Sequence, residues 1–350
     1  MRPTDDSGST MPGEAASRNA GTPLRMLFPR DGWVRMRDAI ADAGIRIEPV
    51  LFEPDGSFSV EGRAIPLDQA RFTAAWFSLD TFARGQDEAF LARMVEAPDL
   101  RWMQSARAGY DHPAFARLAA KGVRLSMSKA MIPAIGEYVV AAVFDHFQRG
   151  PERRAAQAAQ RWQAFPFREI AGSRWLCVGY GEIGRDIAVR ARALGAHVTG
   201  VRRSGGTDAD ADAIVRPDDM ADALAQADVV ILSVPLTRDN DGAYGADFFA
   251  GFKPGALFIN VGRGPLLDEA ALRSALDDGR VGHAVLDVCR VEPLPPGEWQ
   301  WTHPRVTLTA HTAGIGSGLY ARTDRLLVDN LVRYTTGAPL LHEIGPEALA

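Results

Sequence analysis

The run Gly179-Tyr180-Gly181-Glu182-Ile183-Gly184 follows an apolar stretch, Trp175 to Val178, and opens a helical stretch reaching Leu194. Glycines at this spacing can seat a pyrophosphate. The first permits a tight turn, the second lets backbone approach the ligand, and the third lets helix pack on strand. The helix N-terminus then offers N–H groups and a positive dipole end to the phosphates. A glycine-rich turn alone carries little weight; the strand before it, the helix after it and a second strand at His197 to Val201 make it a dinucleotide site. At the end of such a second strand a carboxylate suits the adenosine ribose hydroxyls, whereas arginine suits a 2′-phosphate. Here the residues are Arg202-Arg203-Ser204 with two glycines following. Two guanidiniums beside a hydroxyl read as a phosphate cradle, against the plainer reading of solvated surface arginines. NADP(H) is therefore the favoured cofactor, with NAD(H) as the alternative.

Four stretches downstream fall in one order: Val234-Pro235-Leu236-Thr237; Asn260-Val261-Gly262-Arg263-Gly264; Leu286-Asp287-Val288 through Glu292-Pro293; and His311-Thr312-Ala313-Gly314. This order closely resembles the D-isomer-specific 2-hydroxyacid dehydrogenases. The resemblance is strong from Trp175 to Gly314 and looser from Leu24 to Gly150, and its most specific part is Lys253-Pro254-Gly255 through Leu272. It implies hydride transfer from NAD(P)H to a small 2-keto acid, glyoxylate or hydroxypyruvate being favoured because an arginine-bearing second strand resembles the NADPH-linked reductases of those acids. It also implies that Arg263, Glu292 and His311 form the catalytic set. Beyond the glycine-rich loop, Val234, Pro235, Thr237, Val261, Gly262, Asp287 and Ala313 are then the expected cofactor contacts.

The chemistry calls for these residue types. Hydride arriving at a keto carbon puts negative charge on the carbonyl oxygen, which a proton donor must relieve. His311 matches that donor. A carboxylate beside an imidazole favours the imidazolium and orients the ring, and Glu292 matches that place. Arg263 would grip the substrate carboxylate and keto oxygen with a planar fork that lysine lacks. Taken singly, Glu292 before a proline could merely end a strand, Arg263 could cap one and His311 could be a satisfied buried histidine; the joint order favours catalysis.

Nearer the N-terminus, Ala106-Arg107-Ala108-Gly109-Tyr110-Asp111 resembles the family's substrate loop. That resemblance assigns the backbone amides around Ala108 and Gly109 to the substrate carboxylate. Arg107 departs from the usual small or apolar residue and either contacts the anion or points to solvent. Ala310 stands where many members have proline, and Ile135-Gly136-Glu137 resembles a hinge at the domain junction. A different function class on the same architecture, an NAD(H)-sensing corepressor-like binding protein, shares the fold and is separated from an enzyme only by turnover. Formate dehydrogenases resemble the chain less, since they carry Gln at the position of Glu292.

Two further patterns are set aside. Asp208-Ala-Asp210-Ala-Asp212 imitates a calcium loop but has Ala213 where the turn needs glycine and Asp219 where it needs Glu. It reads as a solvated loop. His342-Glu343 lacks the second histidine of a zinc-protease helix, and no metal site is expected.

Positioning these residues requires α/β units. Short apolar runs alternate with helical segments from Leu24 onward, at Met26 to Phe28, Arg46 to Val50, Ala74 to Phe77, Arg101 to Met103 and Val123 to Leu125. A long helix is read over Ile132 to Arg149, stopped by Gly150-Pro151. Glu152 to Arg168 reads as a basic surface helix or a subunit-contact arm. The second series has strands at Trp175 to Val178, His197 to Val201, Val229 to Val234, Ala256 to Asn260 and Ala284 to Val288, and a last helix is read at Leu319 to Thr335. The expected fold is α/β with two domains: a Rossmann-type doubly wound parallel sheet over 129–311, and a discontinuous flavodoxin-like substrate domain over 24–128 and 312–345. The ligand is expected between them, with domain closure excluding water.

With 350 residues, a formal charge of −5 and 46% hydrophobic residues, the composition favours two globular domains and gives no general attraction to nucleic acid or anionic lipid. Residues 1–23 are polar, lack the apolar core of a signal or anchor, and read as a disordered tail. Cys177 and Cys289 sit far apart in apolar runs, which fits a reducing cytoplasm rather than a disulfide framework. A homodimer is what the resemblance implies.

Overall fold

The computed structural model describes residues 23 to 345. The expected N-terminal tail, up to residue 22, lies outside the described residues. Two compact units are present: the described parts of Met1–Ala130 and Tyr320–Ala350 form one, and Met131–Leu319 forms the other.

The first unit opens with β1 (Leu24–Pro29), α1 (Arg30–Asp42), β2 (Ile47–Phe52), β3 (Phe58–Val60), β4 (Arg63–Ile65), α2 (Leu67–Ala70), β5 (Ala74–Phe77), α3 (Leu79–Ala83), α4 (Asp87–Glu96), β6 (Trp102–Ser105), α5 (Pro113–Ala120) and β7 (Arg124–Ser126). The second comprises α6 (Ile132–Phe147), α7 (Gly150–Ala158), β8 (Arg174–Val178), α8 (Glu182–Ala193), β9 (His197–Val201), β10 (Ala213–Val215), α9 (Ala221–Gln226), β11 (Val229–Leu232), α10 (Ala246–Ala250), β12 (Ala256–Asn260), α11 (Glu269–Asp277), β13 (Val281–Leu286) and β14 (Val306–Leu308). The chain then forms α12 (Leu319–Thr336) and β15 (Glu343–Ile344).

In the first unit the strands run β15-β7-β6-β5-β1-β2-β3-β4. Its parallel part, β7-β6-β5-β1-β2, has the flavodoxin-like order, with α12 burying Leu327 and Leu331 against Met26, Phe28 and Trp102. β15 returns antiparallel to β7 and closes that edge. In the second unit the sheet is parallel throughout, in the order β10-β9-β8-β11-β12-β13-β14. Strands buried on both faces must be apolar along their length. Val229 to Leu232 in β11 and Leu176 to Val178 in β8 are, and each is 2% exposed or less. In α8 the buried residues Gly184, Ile187, Ala188 and Ala191 repeat at helical spacing and lay one face on that sheet. The architecture is α/β, as expected.

Two expectations about elements are corrected. Gly150-Pro151 does not simply end a helix: it starts α7, because proline at the first helical positions needs no intrahelical N–H partner. Glu152 to Arg168 is not one helix, since α7 stops at Ala158 and residues 160 to 169 follow without regular structure. Among the described residues no helix is long and apolar enough to cross a membrane.

Candidate functional site

All the sequence-predicted cofactor and catalytic residues except the substrate loop lie in the second unit, at the carboxyl ends of its parallel strands, where open α/β sheets bind ligands. The glycine-rich loop follows β8. Gly179 has φ +95°, and a Cβ there would stand 2.7 Å from the backbone nitrogen of Val234. At Gly184 a Cβ would stand 2.8 Å from the Gly179 carbonyl oxygen. Both glycines are thus imposed by packing. Gly181 differs, because a Cβ there would meet nothing within 4 Å. It is the N-cap of α8 and has no side chain to cap the helix. Open space in front of an uncapped helix N-terminus fits the pyrophosphate of a dinucleotide. Glu182 and Ile183 form the first turn of that helix.

Tyr180 is placed otherwise. Its N–H donates to the Val201 carbonyl at 2.7 Å, its ring covers Gly200, and its hydroxyl donates to Asp208 at 3.4 Å. Its side chain is therefore part of the wall behind the loop. The Asp208 to Asp212 segment is a loop with no helix or strand, half-exposed to exposed as expected, and it is tied down: Arg185 pairs with Asp210 at 2.7 Å, and Asp212 accepts from the Val198 amide at 2.7 Å. Arg202 donates from Nε to the Gly205 carbonyl at 2.7 Å and from Nη2 to that of Thr207 at 3.1 Å, with Nη1 3.9 Å from Asp208. Arg203 and Ser204 are exposed. After β11, Val234 packs under Gly179, while Thr237 and Asn240 form a reciprocal capping box and Asn240 also donates to the Pro235 carbonyl.

The candidate catalytic residues sit on three loops. After β12, the fully buried Asn260 accepts from the Gly262 amide at 3.0 Å and donates to the Arg263 carbonyl at 3.2 Å, shaping the turn that presents Arg263. Val261 is buried there, its amide bound to the Leu232 carbonyl. Gly264 packs backbone to backbone on the next loop; a Cβ at Gly264 would stand 1.9 Å from the carbonyl carbon of Cys289. That next loop carries Glu292. Its Oε1 accepts from the Cys289 amide at 3.0 Å and its Oε2 lies 2.7 Å from Nδ1 of His311. Burial pushes the Glu292 carboxyl up, but the His311 hydrogen bond, the Cys289 amide and the charges of His311 and Arg263 outweigh it and hold it below the ordinary value. The carboxylate is thus the form facing the imidazole.

His311 has φ +54°, a left-handed conformation that a non-glycine residue adopts only when held. Asp287 holds it. Its carbonyl accepts from the His311 amide at 2.8 Å, and its buried carboxylate accepts from the Thr309 hydroxyl at 2.6 Å, the Thr312 amide at 2.8 Å and the Ala313 amide at 3.1 Å. Tyr138 reaches Thr309 from α6 at 2.8 Å. Sequence reading named Asp287 and Ala313 as cofactor contacts and missed this supporting role, as it missed that of Asn260. The signal available was a polar residue ending an apolar strand.

In the first unit, the loop after β6 is fixed by the Ser105 hydroxyl, which accepts from the Arg107 amide at 3.0 Å, and by the Arg107 carbonyl, which accepts from Ser128 at 2.7 Å. Ala108 and Gly109 follow, half-buried. The Arg107 guanidinium lies over the Phe82 ring at 4.7 Å, an arrangement not among those expected from sequence. Among the described residues no cluster of His, Cys, Asp or Glu is placed to hold a metal ion.

The chain is similar to several known proteins. The family model described as D-isomer specific 2-hydroxyacid dehydrogenase, NAD binding domain, matches residues 140–313. Glycerate dehydrogenase of Methylorubrum extorquens is 32% identical over 259 residues, covering 70% of this chain and 79% of the relative. Glyoxylate/hydroxypyruvate reductase B of Serratia proteamaculans is 30% identical, covering 75% and 82% respectively. A solved D-isomer specific 2-hydroxyacid dehydrogenase from Xanthobacter autotrophicus Py2, in complex with NADPH and MES, superposes with a TM-score of 0.74 at 26% identity, covering 93% of this chain and 99% of that one. A glycine-rich loop on a Rossmann sheet, a paired glutamate and histidine, and relatives matched over most of their length place this chain in the D-isomer-specific 2-hydroxyacid dehydrogenase family, as an NAD(P)-dependent oxidoreductase.

Proposed function

We propose that the chain reduces a small 2-keto acid, glyoxylate or hydroxypyruvate, to the corresponding 2-hydroxy acid with NADPH, and that Arg263, Glu292 and His311 carry the reaction. The observation that supports this most is the 2.7 Å contact between His311 Nδ1 and a Glu292 carboxylate already fixed by the Cys289 amide. Bound nicotinamide supplies the hydride. Glu292 holds the imidazole by Nδ1, leaving Nε2 to deliver the proton to the oxygen that becomes the hydroxyl. Arg263 binds the substrate carboxylate and fixes the face presented. Ala108 and Gly109 are assigned to substrate binding from the family resemblance of their loop.

Support for glyoxylate or hydroxypyruvate comes from the similarity to glyoxylate/hydroxypyruvate reductase B of Serratia proteamaculans. NADPH is supported by the arginines after β9 and by the NADPH complex of the structural neighbour. A homodimer is supported by apolar side chains left exposed on the second unit, with Phe144 37%, Phe167 52% and Trp162 fully exposed. Buried free thiols at Cys177 and Cys289 fit a reducing cytoplasm. The test is kcat/KM for glyoxylate, hydroxypyruvate, pyruvate and a branched 2-keto acid, each with NADPH and NADH. The two small acids with NADPH are expected to lead; a preference for the branched acid overturns the substrate assignment, and one for NADH the cofactor assignment.

A further inference from the structure

Resting on the reading of NADPH as cofactor, we propose that Arg216 is a further specificity-determining cation for the 2′-phosphate, contributed by the strand beside the one that carries Arg202 and Arg203. β10 pairs in parallel with β9, Val215 opposite Val201, and the Arg202 amide donates to the Val215 carbonyl at 3.1 Å. Arg202 and Arg216 therefore leave the sheet side by side, each one residue past a paired strand end. The turn between them has left-handed glycines, Gly205 at φ +58° and Gly206 at +95°. A Cβ on Gly205 would stand 3.3 Å from Nε of Arg216, and one on Gly206 would stand 3.1 Å from Nη2 of Arg202. Consecutive glycines of one turn thus each lie against a different guanidinium.

The arginines are not equivalent. Arg202 is committed to the turn, with two carbonyl acceptors and Asp208 nearby. Among the described residues, neither the Arg203 nor the Arg216 side chain makes a hydrogen bond or ion pair, and both are exposed. Cations gathered around a single turn repel one another unless an anion joins them, and a phosphate dianion offers several acceptor oxygens to their N–H forks. Arg202 keeps the turn in shape, while Arg203 and Arg216 have donors to give. Sequence reading missed Arg216 because only the pairing of the three-residue strand β10 with β9 brings it to this corner.

The full chain and its Arg216→Ala, Arg216→Lys and Arg203→Ala variants would be titrated calorimetrically with adenosine 2′,5′-bisphosphate and with 5′-AMP, and KM measured for NADPH and NADH. Arg216→Ala is expected to weaken adenosine 2′,5′-bisphosphate and NADPH about ten-fold, the loss of one charge-assisted contact, while 5′-AMP and NADH change less than about two-fold. Arg216→Lys should recover part of the loss. If Arg216→Ala changes neither ligand, or both equally, while Arg203→Ala is selective, the assignment of Arg216 falls and the NADPH reading stands. If the unmodified chain binds the bisphosphate no better than 5′-AMP, the NADPH reading falls and this proposal with it.

Discussion

Replacing Asp228 by Asn should loosen the second unit by a calculable amount. Asp228 is 4% exposed, just before β11, and its carboxylate accepts from Lys253 and Arg168, both at 2.5 Å, and from the Arg174 amide at 2.9 Å. Burial pushes this carboxyl up, but the hydrogen bonds from Arg168, Lys253 and Arg174 outweigh it and bring its pKa from 3.8 to about 2. A depression of that size corresponds to about 2 kcal/mol of stability, present above the unfolded value and lost as pH falls through the folded one. Roughly half of it is gone by pH 3. Because the Arg168 and Lys253 side chains are each 46% exposed, the freed cations can return to water, so the loss in Asp228→Asn should stay near about 2 kcal/mol rather than the ~3 to 5 typical of a stranded buried charge. Urea unfolding of both proteins followed by tryptophan fluorescence measures it. At pH 7 the variant should be less stable by that amount, and the gap should halve at pH 3. Equal stabilities at pH 7, or a gap that does not narrow on acidification, would refute the reasoning.

Glu292→Gln should keep the fold, since an amide can replace the hydrogen bonds, yet lower kcat about 100-fold or more by removing the charge behind the imidazole, as read by NADPH oxidation and a thermal melt. Gly181→Ala should leave the melting temperature unchanged while weakening NADPH and NADH alike in a binding titration, because its Cβ would enter open space before the helix. Gly184→Val should instead lower the melting temperature, by packing a side chain against the Gly179 carbonyl. Asp287→Ala should cost about 3 kcal/mol or more in denaturant, since the Thr309, Thr312 and Ala313 donors lose one acceptor, and kcat should fall with it as His311 is released.

The strands of the Rossmann sheet were legible because a strand buried on both faces leaves an uninterrupted apolar run, as Val229 to Leu232 does. The β3–β4 hairpin was not, because its strands are three residues each and carry no periodicity. Gly150-Pro151 misled because the same pair that halts one helix presets the first turn of the next. At the site, Arg263, Glu292 and His311 were legible as an ordered set beyond strand ends, and the structure brings Glu292 and His311 within 2.7 Å. The supports were hidden for a different reason. Asn260 and Asp287 act mostly through backbone N–H and C=O partners, and a backbone group leaves no mark in a sequence.

The central claim is that His311, backed by Glu292, delivers the proton of a 2-keto acid reduction. Its most direct test is single-turnover oxidation of bound NADPH on mixing with hydroxypyruvate, for the unmodified chain and for His311→Ala, with NADPH affinity measured separately by fluorescence. The unmodified chain should oxidise NADPH, His311→Ala should do so at a rate at least ~100-fold lower, and NADPH affinity should be the same in both. Tight NADPH binding with no oxidation by the unmodified chain on any 2-keto acid, the behaviour of a cofactor-sensing protein, or full oxidation by His311→Ala, would contradict it.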